Sequence, residues 1–134
     1  MEEIMEIVRE GEGEEAVFAW SLPCYFSNKQ KYFPMSIGHS TQGSDDATVE
    51  QAFLVQCSGQ TTYLPEKGEL LFIFRCNQSG LWKSILENTL RLSERVVNKS
   101  QWFITDPEEL TFLSKQMLGL IFNLEHENFL NKGT

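Results

Sequence analysis

The sequence predicts an α+β protein, in which a four- to five-stranded, mostly antiparallel sheet is followed by two C-terminal helices packed on one face. Two observations carry this prediction. Short apolar segments rich in aromatic and β-branched residues, which are typical of strands, occur in the first 75 residues. The two long segments with helical periodicity both follow Gly80. Strands followed by helices favour an α+β fold over a doubly wound one.

The length of 134 residues is that of one domain with one hydrophobic core. Residues 1–15 contain seven glutamates against one arginine, and Gly11 and Gly13 interrupt them. We expect this acidic N-terminal segment to be a frayed helix or a mobile tail outside the core. Residues 16–134 are then expected to form a single α+β domain.

Three segments predict strands by their composition. Residues 16–22 form a short apolar run that Pro23 ends. Residues 31–37 contain strand-like aromatic residues, but Pro34 has no N–H to donate, which predicts an edge position or a bulge. Residues 70–74 are the most apolar and aromatic run in the chain and are expected to be the central strand of the sheet.

The remaining segments before Gly80, and one after it, are less regular. Residues 49–57 predict either a strand covered on both faces or a short helix that enters a strand. Residues 64–69 carry a proline and a glycine at positions that suit a hairpin turn, so strands are expected on both sides of it. The polar run 39–46 predicts an exposed loop, and the apolar run 100–105 indicates another strand.

Two amphipathic helices are predicted after Gly80. In the first, apolar residues repeat at helical spacing from residue 82 to residue 97. The second begins at Asp106, because aspartate caps a helix and Pro107 suits its first position. A broad apolar surface on this second helix exceeds what one flank of a sheet needs, owing to three additional residues: Phe112, Leu118 and Phe122.

The net charge of −8 argues against direct binding of nucleic acid, which depends on clustered lysine and arginine. Residues 1–6 lack the basic and apolar regions of a secretory signal, and no apolar run is long enough to cross a bilayer. The cysteines, Cys24, Cys57 and Cys76, are widely spaced and odd in number, which does not suggest a disulfide framework. We therefore expect a cytoplasmic protein with no membrane contact.

Few residues in the chain have the chemistry of a catalytic site. His39 lies in the polar loop near Asp45 and Asp46, and Cys24 is the cysteine expected to be most exposed. A small enzyme that uses these four residues remains an alternative. The chain has no phosphate-binding glycine motif, and adjacent ligands in residues 125–127 point in different directions on a helix. The sequence therefore predicts no metal and no cofactor.

The leading functional hypothesis is a non-catalytic protein-binding module of the immunity, inhibitor or chaperone type. It would engage a protein partner, which the acidic surface suggests to be basic, with its charge and an aromatic patch. The scarcity of catalytic residue types makes an enzyme the less favoured reading. A subunit that self-associates as a homodimer through the second helix is a further alternative. The predicted partner-binding residues are Asp45, Asp46, Trp102, Phe103, Phe112 and Phe122.

Overall fold

A computed structural model describes residues 6–27, 30–58, 66–97 and 100–132, with the backbone alone from residue 121 onward. The strands are β1 (Val8–Gly11), β2 (Glu15–Ser21), β3 (Phe33–Ser40), β4 (Glu69–Cys76) and β5 (Trp102–Thr105). The helices are α1 (Pro23–Phe26), α2 (Asp46–Ser58), α3 (Ser79–Leu92) and α4 (Pro107–Lys132). None of these helices combines the length and the apolar character that crossing a membrane requires.

The strands form one sheet in the order β1-β4-β2-β3-β5. The pair β1 and β4 is parallel, with Val8 beside Phe72, whereas the other three pairs are antiparallel. The α+β prediction is therefore confirmed. The predicted details are matched only in part. The sheet is mixed, and two of the four described helices, α1 and α2, precede β4.

Helices cover both faces of the sheet. On one face, Phe18 and Trp20 of β2 pack with the buried side of α2. On the other face, Val17 of β2 and Phe74 of β4 pack with residues of α3 and α4, including Leu86. The central residues of β2 and β4 are thus buried whichever way they point.

The segment 49–57 is helical throughout, so the prediction of a strand there is wrong. Val49, Phe53 and Cys57 are spaced four residues apart and are all buried on the sheet side of α2. Asp45 accepts a hydrogen bond at 2.7 Å from the backbone N–H of Thr48, which caps the helix start. Helical spacing and the cap therefore outweigh the strand-like composition of the segment.

Residues 1–5 of the acidic segment lie outside the described residues, and in the rest of it Val8–Gly11 form the strand β1 instead of a helix. As a result β4 lies between β1 and β2, and the middle of the sheet is β2 instead of the predicted β4. The strand β3 is also internal. Its pairing with β2 begins only at Ser36, however, so Pro34 pairs with β5 and not with β2.

The C-terminal half follows the sequence prediction more closely. Residues 102–105 form β5, and α4 begins at Pro107, with Asp106 accepting the backbone N–H of Glu109 at 2.7 Å. The helix α3 ends at Leu92, earlier than predicted, because Glu94 adopts a positive φ of 59° and Val96 then bridges to β5. The first strand of the predicted hairpin lies outside the described residues.

Two leucines near the end of α3 test this packing. Leu90 is 2% exposed in the core beside α4, whereas Leu92 is 87% exposed. We expect Leu90→Ala to lower the free energy of unfolding by about 2–5 kcal/mol, because it removes buried methyl groups and leaves a cavity. Leu92→Ala is the matched control and should change it by less than about 0.5 kcal/mol. Urea unfolding of both variants measures the difference, and equal effects would contradict the assigned face of α3.

Candidate binding cleft

A cleft of about 840 Å³ lies where the parallel strands β1 and β4 end. Residues 9–12 and 75–78 contribute the strand ends and the residues that follow them, while α3 and α4 supply the remaining lining residues. The site forms here because α3 begins three residues after the end of β4, at Ser79. The carboxyl end of β4, the start of α3 and the side of α4 therefore meet at one edge of the sheet.

The wall that the helices supply is apolar. Leu81 and Ile85 come from α3, and Leu118 comes from α4. Leu81 is 55% exposed and Leu118 is 49% exposed, although both are large apolar side chains. Beside them Trp82 is buried and stacks on Phe74 of β4 at a centroid distance of 5.5 Å. The helices thus leave a water-exposed apolar surface above a rigid aromatic base.

The wall that β1 supplies is charged. Glu10 pairs with Lys115 of α4 at 3.5 Å, which ties the strand to the helix. Glu12 is exposed and makes no hydrogen bond or ion pair within the described part of the chain. Gly11 between them has a φ of 80°, and a Cβ there would meet the Arg75 carbonyl oxygen at 2.3 Å. Glycine is therefore required for the close approach of β1 to β4.

Two arginines of the cleft share one carboxylate. Asp46 contacts Arg9 Nε at 2.6 Å and an Arg75 guanidinium nitrogen at 2.5 Å. These bonds, that from Arg75 above all, hold the pKa of Asp46 below its usual range. Arg75 also donates to the Gly43 carbonyl at 3.0 Å. The positive charge of the strands is therefore partly neutralised, and the start of α2 is tied to β1 and β4.

A second carboxylate fixes the start of α3. Glu15 accepts hydrogen bonds from the Ser79 backbone N–H at 3.0 Å and from Ser79 Oγ at 2.8 Å. These two bonds lower the pKa of Glu15 most strongly, and the Gln78 N–H and the charge of His39 add to the effect. A carboxylate at this position also complements the positive end of the helix dipole. The N-terminus of α3 is thus occupied by a side chain of the same chain.

The neighbouring His39 does not turn this cluster into a nucleophilic site. His39 Nδ1 lies 3.1 Å from Ser79 Oγ. Ser79 Oγ also lies within hydrogen-bond distance of Glu15 at 2.8 Å and of the Ser40 carbonyl at 3.2 Å. A serine nucleophile must be reachable by its substrate. Ser79 is fully buried, so a substrate has no access to it.

The alternative site of Cys24, His39 and the two aspartates is not assembled. His39 lies beside Val17 near the start of β2, whereas Cys24 follows the end of β2 at Ser21. Val17 and Ser21 are four residues apart along the strand, which is a distance of roughly 13 Å. Glu66 accepts the Cys24 backbone N–H, and its hydrogen bond with the thiol raises the Cys24 pKa. Among the described residues, no group of three or more His, Cys, Asp or Glu is placed to hold a metal ion.

The predicted partner-binding residues do not share one surface. Asp45 caps α2, and Asp46 joins the arginine cluster beside the cleft. Trp102 and Phe103 lie on β5, at the opposite edge of the sheet, about 15 Å from β4. Trp102 is half-buried and packs edge-on against Trp20, while Phe103 is buried. These two aromatic residues therefore contribute mainly to the core.

The remaining two predicted residues lie on α4. Phe112 is 59% exposed, and the side chain of Phe122 lies outside the described residues. The cleft itself was not predicted, although Leu118 stood out from the buried stripe of its helix as an excess apolar residue. No local sequence signal indicates that Arg9 and Arg75 line a cleft, because their meeting depends on the parallel pairing of two strands that are distant in the chain.

Comparisons of this chain with protein-family models, with curated proteins and with solved structures found no match.

The Glu15 contact has a testable dependence on pH. Because its pKa is lowered in the folded state, Glu15 stabilises the fold above its ordinary pKa, and this stabilisation is lost as the pH falls through the folded-state value. We expect Glu15→Gln to be less stable than the parent at neutral pH, and the difference to shrink on acidification. Urea unfolding over a pH series measures it.

The matched control for this experiment is Glu14→Gln. Glu14 is exposed, and its side chain makes no hydrogen bond or ion pair within the described ranges. We expect this variant to have the stability of the parent throughout the series. A stability loss in Glu15→Gln that stayed constant down to acid pH would show that the Glu15 charge is not what fixes α3.

Proposed function

We propose that this chain is a non-catalytic protein-binding module that receives a segment of a partner protein in the cleft. The observation that carries the proposal is the exposure of Leu81 and Leu118 at the mouth of the cleft, next to buried Trp82. Apolar side chains beside a concave, aromatic base are typical of the anchor pockets at protein interfaces. Burying both leucines under a partner would remove their apolar surface from water.

The charge of the chain favours a basic partner. Its net charge is −8, and Glu12 at the cleft is exposed, although Glu10 is paired with Lys115 and two arginines, Arg9 and Arg75, also line the cleft. A net charge raises the rate of encounter with partners of the opposite sign. An acidic protein that binds a basic protein in this way would act as an inhibitor, an immunity protein or a dedicated chaperone. The buried thiols of Cys57 and Cys76 form no disulfide among the described residues, which fits a reducing compartment such as the cytoplasm.

The arrangement of the reactive side chains supports a non-catalytic role. Ser79 is buried and hydrogen-bonds to Glu15, and Cys24 lies at the other end of β2 from His39. The carboxylates of Asp45 and Asp46 each have internal partners. Each of these groups helps to hold a helix or a strand in place, whereas the exposed apolar wall of the cleft has no such structural role.

Charge substitution at the cleft tests the proposal. We expect Leu118→Glu to lower capture of the partner from lysate of the source cell by at least about tenfold, because it places a charge in the apolar wall. Capture is measured by quantitative mass spectrometry of the retained proteins. Leu92→Glu is the matched control, since Leu92 is an exposed helix leucine that does not line the cleft.

The proposal requires proteins that the parent and Leu92→Glu retain alike and Leu118→Glu loses. If all three chains retain the same proteins in the same amounts, the cleft is not the binding surface. Light scattering of the three purified chains separates the alternative of self-association. A dimer in the parent and Leu92→Glu that becomes a monomer in Leu118→Glu would show that α4 contacts a second copy, which contradicts binding of a different protein there.

A further inference from the structure

We infer that residues 7–13 form a detachable strap, which opens away from β4 without unfolding the sheet and closes when the cleft is occupied. The strap consists of β1, the residue before it and the two residues after it. Its opening is a property of the free chain, whereas its closure over an occupant rests on the proposed function. Three features support the inference: the weak attachment of the strap, its path across β4 and its position in the cleft.

The strap is attached to the rest of the protein by few contacts. None of the four residues of β1 is buried, whereas the run Leu70–Phe74 of the adjacent β4 is buried throughout. Ile7 and Val8 are only partly buried where they pack against the core. Segments with few buried apolar contacts open locally at a lower free-energy cost than the core. We therefore expect the strap to detach while β2 and β4 remain paired.

One ion pair holds the strap on each face of the sheet. Arg9 pairs with Asp46 of α2 at 2.6 Å, and Glu10 pairs with Lys115 of α4 at 3.5 Å. The exposed fractions of these four side chains lie between 39% and 60%, so water and salt screen both pairs. When the strap opens, Asp46 keeps its contact with Arg75. Opening therefore leaves no buried charge unpaired among these side chains.

The chain crosses the end of β4 between the strap and β2. Gly11 lies beside Arg75 on one side of β4, and Glu15 lies beside Cys76 on the other. Only residues 12–14 join these two positions. A rotation within this short link moves the whole strap away from β4 as one unit.

Gly13 is the hinge of this link. The next residue, Glu14, is fixed because its carbonyl accepts the Gly43 N–H at 2.7 Å. A Cβ on Gly13 would overlap the Cys76 carbonyl oxygen, so glycine is needed for the closed strap to lie against the end of β4. Glycine also has the widest choice of backbone angles, which allows the chain to turn outward at this position.

The strap forms one wall of the cleft. Its residues 9–12 line the cleft together with Leu81 and Leu118 of the helices. When the strap is open, its wall is absent and only the apolar wall of the helices remains. An occupant that contacts both walls binds the closed form more tightly, and this difference in affinity shifts the strap toward closure.

Hydrogen exchange of the free chain in increasing, sub-denaturing urea tests the opening. We expect the amides that join β1 to β4 to exchange through an opening at least about a hundredfold more populated than that of the β2 amides, with a smaller dependence on urea. Gly13→Ala should populate this opening at least about tenfold more and leave β2 unchanged, because the added Cβ has no room when the strap is closed. Gly119→Ala is the matched control, since a Cβ there meets nothing within 4 Å.

Removal of one ion pair provides a second, milder test. Arg9→Gln removes the contact with Asp46, and we expect it to populate the strap opening about two- to fivefold more at unchanged β2 exchange. Lys83→Gln is the matched control, because Lys83 pairs with Glu87 within α3 at 3.2 Å and neither residue lines the cleft. It should leave the opening unchanged.

Exchange of the β1–β4 amides at the rate and urea dependence of β2 would overturn the strap, and so would equal effects of Arg9→Gln and Lys83→Gln. Closure is tested in the complex with the protein that the parent retains and Leu118→Glu loses. There the strap should exchange at least about tenfold more slowly than in the free chain. An unchanged rate would show that binding does not close the strap, although the proposed function would stand. If no protein is retained through the cleft, the proposed function fails and closure fails with it, while exchange of the free chain still decides whether the strap opens.

Discussion

The rest of the structure depends on burying both faces of the sheet. In β2, residues 16–21 are all buried, and in β4 the run from Leu70 to Phe74 is buried as well. A strand that is apolar on both faces requires a covering layer on each side. The helix α2 supplies one layer, and α3 with α4 supplies the other. The hydrophobic effect thereby determines the three-layer arrangement, and the polar contacts fix where each helix begins.

The cleft is a consequence of how these layers are attached. The Glu15 carboxylate holds the start of α3 at the end of β4, and the Glu10–Lys115 pair holds α4 near β1. Between these attachments the two helices leave Leu81 and Leu118 uncovered. The parallel pairing of β1 adds an edge strand beside them. The apolar wall of the helices and the charged residues of β1 therefore meet at one place, which is the basis of the proposed binding role.

Local signals predicted the elements well where they were strong. The cap at Asp106 and the following Pro107 correctly located the start of α4, and the apolar run of β4 correctly indicated a strand. The segment 49–57 was misread because its aromatic and β-branched residues suit a strand, while its spacing of four residues suits a helix. The strand β1 was missed because its sequence is acidic, and its stability comes from pairing with distant β4. Sites that depend on such long-range pairing have no local signature.

Hydrogen exchange of the complex with the captured partner tests the central claim most directly, because it reports which backbone amides the partner protects. The account predicts slower exchange in residues 8–12 of β1 and in the parts of α3 and α4 that line the cleft, with little change in α2. Protection confined to α2 or to β5, with exchange in β1 unchanged, would contradict it.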